Sequence, residues 1–70
     1  MLLLHFSANY FSIIEEATGM ALEATSGGDV NLFSYHGNDN QLWSWKDVGK
    51  TILENKKYST KLVFNSQGGV

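Results

Sequence analysis

The chain has 70 residues, a net charge of −2 and no cysteine. A chain of this length forms at most one small domain, which buries only about 60% of the surface that the unfolded chain exposes. Disulfides and thiolate zinc sites are excluded, the 5 Lys and Arg residues give no basic surface for nucleic acid, and no apolar run is long enough for membrane insertion.

The first part of the chain predicts short strands separated by turns. Residues 1–6 are apolar but have no basic residue before them, so we interpret them as a strand or an assembly contact rather than a signal-peptide remnant. Tyr10–Glu15 is rich in β-branched and aromatic residues, which predicts the first full strand. Residues 15–19 favour a turn, and alternating polarity predicts strands over 20–25 and 30–35.

The second part of the chain continues this pattern. Residues 37–40 are all turn formers, and a strand with two tryptophans is predicted over 41–45. Further strands are predicted over 51–55 and 61–65. Strands at spacings of about 8 to 12 residues, without a helical period, indicate an all-β sandwich or barrel.

The period of two along each strand also assigns side chains to faces. Val30 and Leu32 are expected to point into the core, and we expect Trp43 to pack there as well. The residues expected to face outward on the same stretch are Asn31, Phe33 and Tyr35.

The chain contains an internal repeat. Residues 12–15 match 51–54 at an offset of 39, and, after a one-residue insertion in the second turn, 22–30 match 62–70 at an offset of 40. The single domain, 1–70, therefore holds one unit over about 10–48 and part of a second over 49–70.

Units of about 40 residues with four strands occur in propeller blades and β-trefoils, and neither fold closes with fewer than three units. Open strand edges favour pairing with another chain, so we expect a homo-oligomer or a place in a larger assembly.

The pattern of the first unit resembles the ricin-type β-trefoil lectins, whose repeat carries a Gln-x-Trp motif near its end. The matching residues are Ile13-Ile14, Leu22-Glu23-Ala24, Val30-Asn31-Leu32-Phe33 and Asn40-Gln41-Leu42-Trp43. The match covers positions 10–45 well and 50–70 in part. The resemblance implies a β-trefoil, incomplete in one chain and completed by oligomerisation or by missing sequence.

The resemblance also implies a binding site for galactose or N-acetylgalactosamine type glycans. Glu23 matches the acidic residue, Phe33 the stacking aromatic and Asn40 the amide that binds hydroxyl groups. Gln41 matches the residue that holds the acid, and Asn31 resembles a further polar position. The chemistry suits a sugar, because a carboxylate accepts hydrogen bonds from vicinal hydroxyls and a ring face covers the apolar C–H patch.

Two departures from the family leave alternatives open. Glu23 stands where the family usually has Asp, and the family's cysteines are missing, so Glu23 and Asn40 also fit a solvated surface. Phe33 also fits a chain–chain contact. The second unit has Val63 at the position of Glu23, which predicts that it binds no sugar.

No enzyme and no cofactor are predicted. His5 and His36 have no metal-ligand partners at useful spacing and fit ordinary surface or core histidines. Glu15 and Glu16 are adjacent and point to opposite faces of a strand, which argues against a catalytic carboxylate pair.

The sequence therefore predicts a carbohydrate-binding lectin module. The alternative is a β-trefoil that binds no sugar and serves as a structural or protein-interaction module through Phe33, Tyr35 and Trp45. A non-catalytic piece of a larger glycosidase or toxin is a third interpretation. The compartment is open, with a cytosolic or unconventionally secreted protein slightly favoured.

Overall fold

The computed structural model describes the backbone of residues 2–7 and the backbone and side chains of residues 9–64. Strands dominate this part of the chain, with a single 3₁₀ helix over Asp39–Gln41. The strands are β1 (Leu2–Ser7), β2 (Tyr10–Glu15), β3 (Ala21–Ala24), β4 (Val30–Phe33), β5 (Trp43–Trp45), β6 (Ile52–Asn55) and β7 (Lys61–Val63). The all-β prediction is confirmed.

All pairings between these strands are antiparallel and join them into one sheet. Six strands follow the order β4-β3-β2-β5-β6-β7, and β1 pairs with β2 off this path. β2 is central, because its Ile14 pairs with Ala21 of β3 and its Phe11 pairs with Trp43 of β5. The two hairpins β2–β3 and β6–β7 therefore meet through β5.

The predicted strands are present but several are shorter than expected. The strand expected over 41–45 begins only at Trp43, because the 3₁₀ helix takes up its start with hydrogen bonds from the Gln41 N–H to the Asn38 carbonyl (2.9 Å) and from the Leu42 N–H to the Asp39 carbonyl (3.2 Å). The early apolar stretch forms β1. The end of the last predicted strand, the repeat match over 65–70 and the side chain of His5 lie outside the described residues.

A small apolar core lies between the two hairpins. Its buried residues come from four strands and are Phe11, Ile13, Ala24, Trp43 and Leu53. Partly buried apolar residues pack around them, namely Leu22, Val30, Trp45, Leu62 and Phe64. The indole of Trp43 is fully buried and donates a hydrogen bond from Nε1 to the Leu22 carbonyl at 3.0 Å, so its polar edge is satisfied as well.

Two predicted side-chain orientations are corrected. Leu32 was expected in the core but is 41% exposed, because β4 pairs only with β3 and lies at the end of the strand order. Trp45 was a candidate for a partner-facing surface, but it is partly buried and packs between Phe11 and Phe64, with ring centroids 6.1 and 5.9 Å away. The prediction that Trp43 is a core residue is confirmed.

The repeat is visible in the hydrogen bonds of the two hairpin turns. The Glu15 N–H donates to the Met20 carbonyl, as the Asn55 N–H does to the Thr60 carbonyl, both at 2.8 Å. This gives an offset of 40 (55 − 15) for β2 and β6, in place of the predicted 39. Ile13 and Leu53, also 40 apart, both lie in the core. The insertion predicted in the second turn is therefore absent.

Candidate functional site

The side chain of Gln41 is the centre of a buried hydrogen-bond network. Gln41 is 0% exposed. Its amide Nε2 donates to Glu23 Oε1 at 3.0 Å and to the Ser34 carbonyl at 2.8 Å. Its Oε1 accepts from the N–H groups of His36 at 2.9 Å and Gly37 at 3.1 Å. One side chain thus joins β3 to the loop that follows β4.

Gly37 lets this loop turn toward Gln41. Its φ is +75°, a conformation that side chains other than glycine rarely adopt. A Cβ at this position would also lie 3.2 Å from the hydroxyl of Tyr35. Glycine therefore allows two successive N–H groups, those of His36 and Gly37, to reach the same acceptor.

Glu23 is held on one side and open on the other. Its side chain is 14% exposed, and Oε1 accepts from both Gln41 Nε2 and His36 Nε2, the latter at 3.2 Å. Among the described residues Oε2 has no hydrogen-bond partner, yet no side-chain polar atom of these residues is both buried and unpaired. Oε2 therefore faces solvent as an available acceptor.

The tautomer of His36 follows from its two neighbours. The Asn38 N–H donates to His36 Nδ1 at 3.0 Å, so in the neutral ring the proton is on Nε2. Nε2 therefore donates to Glu23. Gln41 and His36 thus both hold the same oxygen of Glu23, Oε1.

Asn40 contacts the backbone of Ala24, the residue that follows Glu23. Its Nδ2 donates to the carbonyl of Ala24 at 3.3 Å, and Asn40 is partly buried. Its Oδ1 has no hydrogen bond within the described part of the chain and, by the same reasoning as for Glu23, is open to solvent. Asn40 therefore offers an acceptor and its second amide hydrogen.

Phe33 and Asn31 share one face of the sheet with Glu23. Asn31 pairs directly with Glu23, and Phe33 lies two residues further along β4. Phe33 is 54% exposed, and its ring and the His36 ring are inclined at 63° with centroids 6.5 Å apart. Direct contact or strand register therefore links four of the predicted site residues, Glu23, Gln41, Asn31 and Phe33. The side chain of Asn40 bonds the backbone of Ala24, the residue after Glu23, and Asn31 is simply exposed.

His36 belongs to this cluster and the sequence interpretation missed it. The sequence favours an ordinary surface or core histidine at this position, but in the structure His36 contacts both Glu23 and Phe33. It lies in a loop, where neither a period of two nor a spacing rule predicts the direction of a side chain. The contact with Glu23 spans 13 residues and arises only from folding.

The cluster forms a surface rather than a cavity. A cleft of about 460 Å³ lies beside it, lined by Gly37, Asn38, Asp39 and Lys57, and it shares only Gly37 with the network. Among residues 9–64 no group of three or more His, Asp or Glu residues is placed to hold a metal ion. None of the described helices is long and apolar enough to cross a membrane.

The matched position of the second unit has different chemistry. Val63 stands 40 residues after Glu23 and is 67% exposed. Its neighbour across the ladder is Ile52, so no carboxylate or amide is paired with it there. The prediction that this unit binds no sugar stays a prediction.

Comparison with known proteins adds no relative. No protein-family model matches the chain, and no curated protein or solved structure matches it either. The resemblance to the ricin-type lectins thus rests on the residues of this sequence alone and stays a hypothesis.

Proposed function

We propose that this protein is a carbohydrate-binding lectin module that recognises galactose or N-acetylgalactosamine type glycans in one shallow site. The site comprises Glu23, Asn31, Phe33, Asn40 and Gln41. The observation that carries the proposal is the hydrogen bond from Gln41 to Glu23 Oε1, which fixes the carboxylate while Oε2 stays open to solvent.

Each group of the site suits part of a sugar. Glu23 Oε2 accepts a hydrogen bond from a hydroxyl, and Asn40 both gives and takes hydrogen bonds. The half-exposed ring of Phe33 offers an apolar face for the C–H side of a pyranose. A surface of this kind, without a deep pocket, predicts weak affinity per site.

The same proposal extends to the fold and the assembly. We infer that the strands form ricin-type β-trefoil subdomains and that several chains associate to complete them. Such an assembly carries several weak sites, and multivalent binding raises the avidity well above the affinity of one site.

Retention on galactose-agarose tests the site. Glu23→Gln removes the charge at constant size, and Phe33→Ala removes the ring. We expect Glu23→Gln to lower retention at least about tenfold, since a hydrogen bond to a charged group contributes about 1.5–3 kcal/mol. We expect Phe33→Ala to lower retention as well, because the C–H side of the sugar loses its apolar ring face. Leu32→Ala is the matched control, because Leu32 is also exposed on β4 but on the opposite face. Unchanged retention in both site variants would rule out this site.

An alternative function is a structural or protein-interaction module that binds no sugar. The observation favouring it is the exposure of two aromatic side chains on and after β4, Phe33 at 54% and Tyr35 at 53%. A glycan array distinguishes the two functions. Absence of binding to any glycan, together with binding of a protein partner that Phe33→Ala and Tyr35→Ala both weaken, would favour the alternative.

A further inference from the structure

Asn55 of β6 reaches out of its own hairpin and contacts the backbone of the candidate site. It is 1% exposed. Its Nδ2 donates to the Asn40 carbonyl at 2.8 Å and lies 3.4 Å from the Leu42 carbonyl. Its Oδ1 accepts from the N–H groups of Lys57 and Tyr58, each at 3.1 Å. One side chain therefore caps its own turn and holds a segment of the first unit.

The two carbonyls that Asn55 contacts lie on either side of Gln41. A second residue of the same strand end supports them, because the Lys56 N–H donates to the Leu42 carbonyl at 2.8 Å. The ammonium of Lys56 also lies 3.4 Å from Asp39 Oδ1. Residues 55–56 thus hold the backbone of residues 40–42, which includes Asn40 and Gln41, and contact the side chain of Asp39.

We propose that Asn55 is a positioning residue for the candidate sugar site. The second unit, which has Val63 at the position equivalent to Glu23, then sets the backbone geometry of the site in the first unit. This inference rests on the proposed function only for its effect on sugar binding. The side chain of Gln41 makes four hydrogen bonds, and they meet their partners together only when the backbone of Gln41 is fixed. Asn55 fixes it from the outside without touching the sugar.

Amide hydrogen exchange tests the positioning without any sugar. In Asn55→Ala, we expect the His36 and Gly37 amides to exchange about tenfold faster, as loss of about one buried hydrogen bond predicts. The Glu15 amide, which bonds to Met20 in the other hairpin, serves as the internal reference. If His36 and Gly37 accelerate no more than Glu15, Asn55 is only a structural residue and the proposal is wrong.

Asp47→Ala is the matched control variant. Asp47 also caps a turn next to β6, accepting from the N–H groups of Thr51 and Ile52 at 2.9 Å each, but none of its hydrogen bonds reaches residues 39–42. We expect its loss to leave the exchange of His36 and Gly37 relative to Glu15 unchanged. An equal acceleration in both variants would overturn the proposal, because any weakened turn would then suffice.

Galactose affinity, measured on the folded fraction of each variant, separates this inference from the proposed function. We expect about a tenfold loss in Asn55→Ala and none in Asp47→Ala. If the unaltered protein binds no galactose, the proposed function fails while the exchange result still decides the positioning. If galactose binds and Asn55→Ala does not weaken it, the positioning role is overturned and the function stands.

A measurement on the unaltered protein covers the case in which Asn55→Ala does not fold. Native-state exchange in low denaturant reports which amides open together. Because residues 55–56 hold the site segment, the amides of His36 and Gly37 should open in the same event as the Lys56 amide. If they open independently of Lys56, Asn55 does not position the site.

Discussion

The hairpins β2–β3 and β6–β7 have turns of the same backbone conformation but differ in the polarity of their paired side chains. The two turns have the same hydrogen bonds, with Gly19 and Ser59 at equivalent positions, both at positive φ (75° and 58°). The pair Ile14–Ala21 of the first hairpin is buried and apolar, whereas the equivalent pair of the second, Glu54–Lys61, is charged.

The equivalent residues Glu15 and Asn55 show how the hairpins divide their tasks. Glu15 accepts a hydrogen bond from Thr18 within its own turn. Asn55 caps its turn and also reaches Asn40. The comparison teaches that two turns with the same backbone hydrogen bonds can carry side chains of different reach, since the Glu15 side chain bonds within its turn and the Asn55 side chain also contacts the first unit.

The largest expected effect comes from the residue that joins the two hairpins. Trp43 pairs with Phe11 on one side and Asn55 on the other. Trp43→Ala should lower the free energy of unfolding by about 4 kcal/mol, because it leaves a large cavity and removes the bond to Leu22. That is most of the stability of a small domain. Urea denaturation followed by circular dichroism measures it.

Val48→Ala, at a fully exposed turn position, is the control for Trp43→Ala and should change the free energy of unfolding by less than about 0.5 kcal/mol. If Trp43→Ala were equally mild, the two hairpins would not depend on their shared core.

A reciprocal exchange at the two turns tests the shared frame. Gly19→Ser should destabilise the protein by about 1 kcal/mol, since a side chain at positive φ is strained. Ser59→Gly should stabilise it by roughly 0.5 kcal/mol, because the relief of strain exceeds the entropic cost of glycine. A Cβ at Gly19 meets no atom within 4 Å, so the effect of Gly19→Ser on stability reports backbone strain and not a steric clash. Effects of the same sign in both variants would contradict the equivalence of the turns.

The smallest expected effect concerns the charged pair. The pKa of Glu54 lies below its ordinary value of 4.5, because hydrogen bonds from Lys46 and Lys61 favour the carboxylate. A lowered pKa in the folded state stabilises the protein above pH 4.5, and this contribution is lost as the pH falls through the folded-state value. Glu54→Gln should therefore flatten the acid side of the stability profile, measured as Tm against pH.

Glu16→Gln, an exposed residue of the first turn, is the control for Glu54→Gln and should leave the slope of Tm against pH as it is. A slope that is the same in all three proteins would show that the ion pairs of Glu54 do not contribute.

Local patterns predicted most of the strands. Alternation and β-branched residues located β2, β3 and β4, because both depend on neighbouring residues only. The repeat was detected, but its offset was wrong by one residue in β6. A match of four side-chain types cannot distinguish Ile52 from Leu53 as the core residue, and only packing against Phe11 and Trp43 does so.

By itself, the sequence determined that the chain is all-β, and only its resemblance to the ricin-type lectins made Gln41 and Glu23 candidates for one polar site. The tertiary structure decided that His36 contacts Glu23 and that Asn55 of the other hairpin contacts the backbone beside Gln41. It also decided that Leu32 is exposed while Trp45 is packed. The contacts of His36 with Glu23, of Asn55 with Asn40 and of Trp45 with its ring neighbours join residues 13 or more apart, and no period along the chain encodes which side chains meet after folding. Leu32 is exposed because the sheet order leaves β4 at its end, and alternation along one strand does not encode that order.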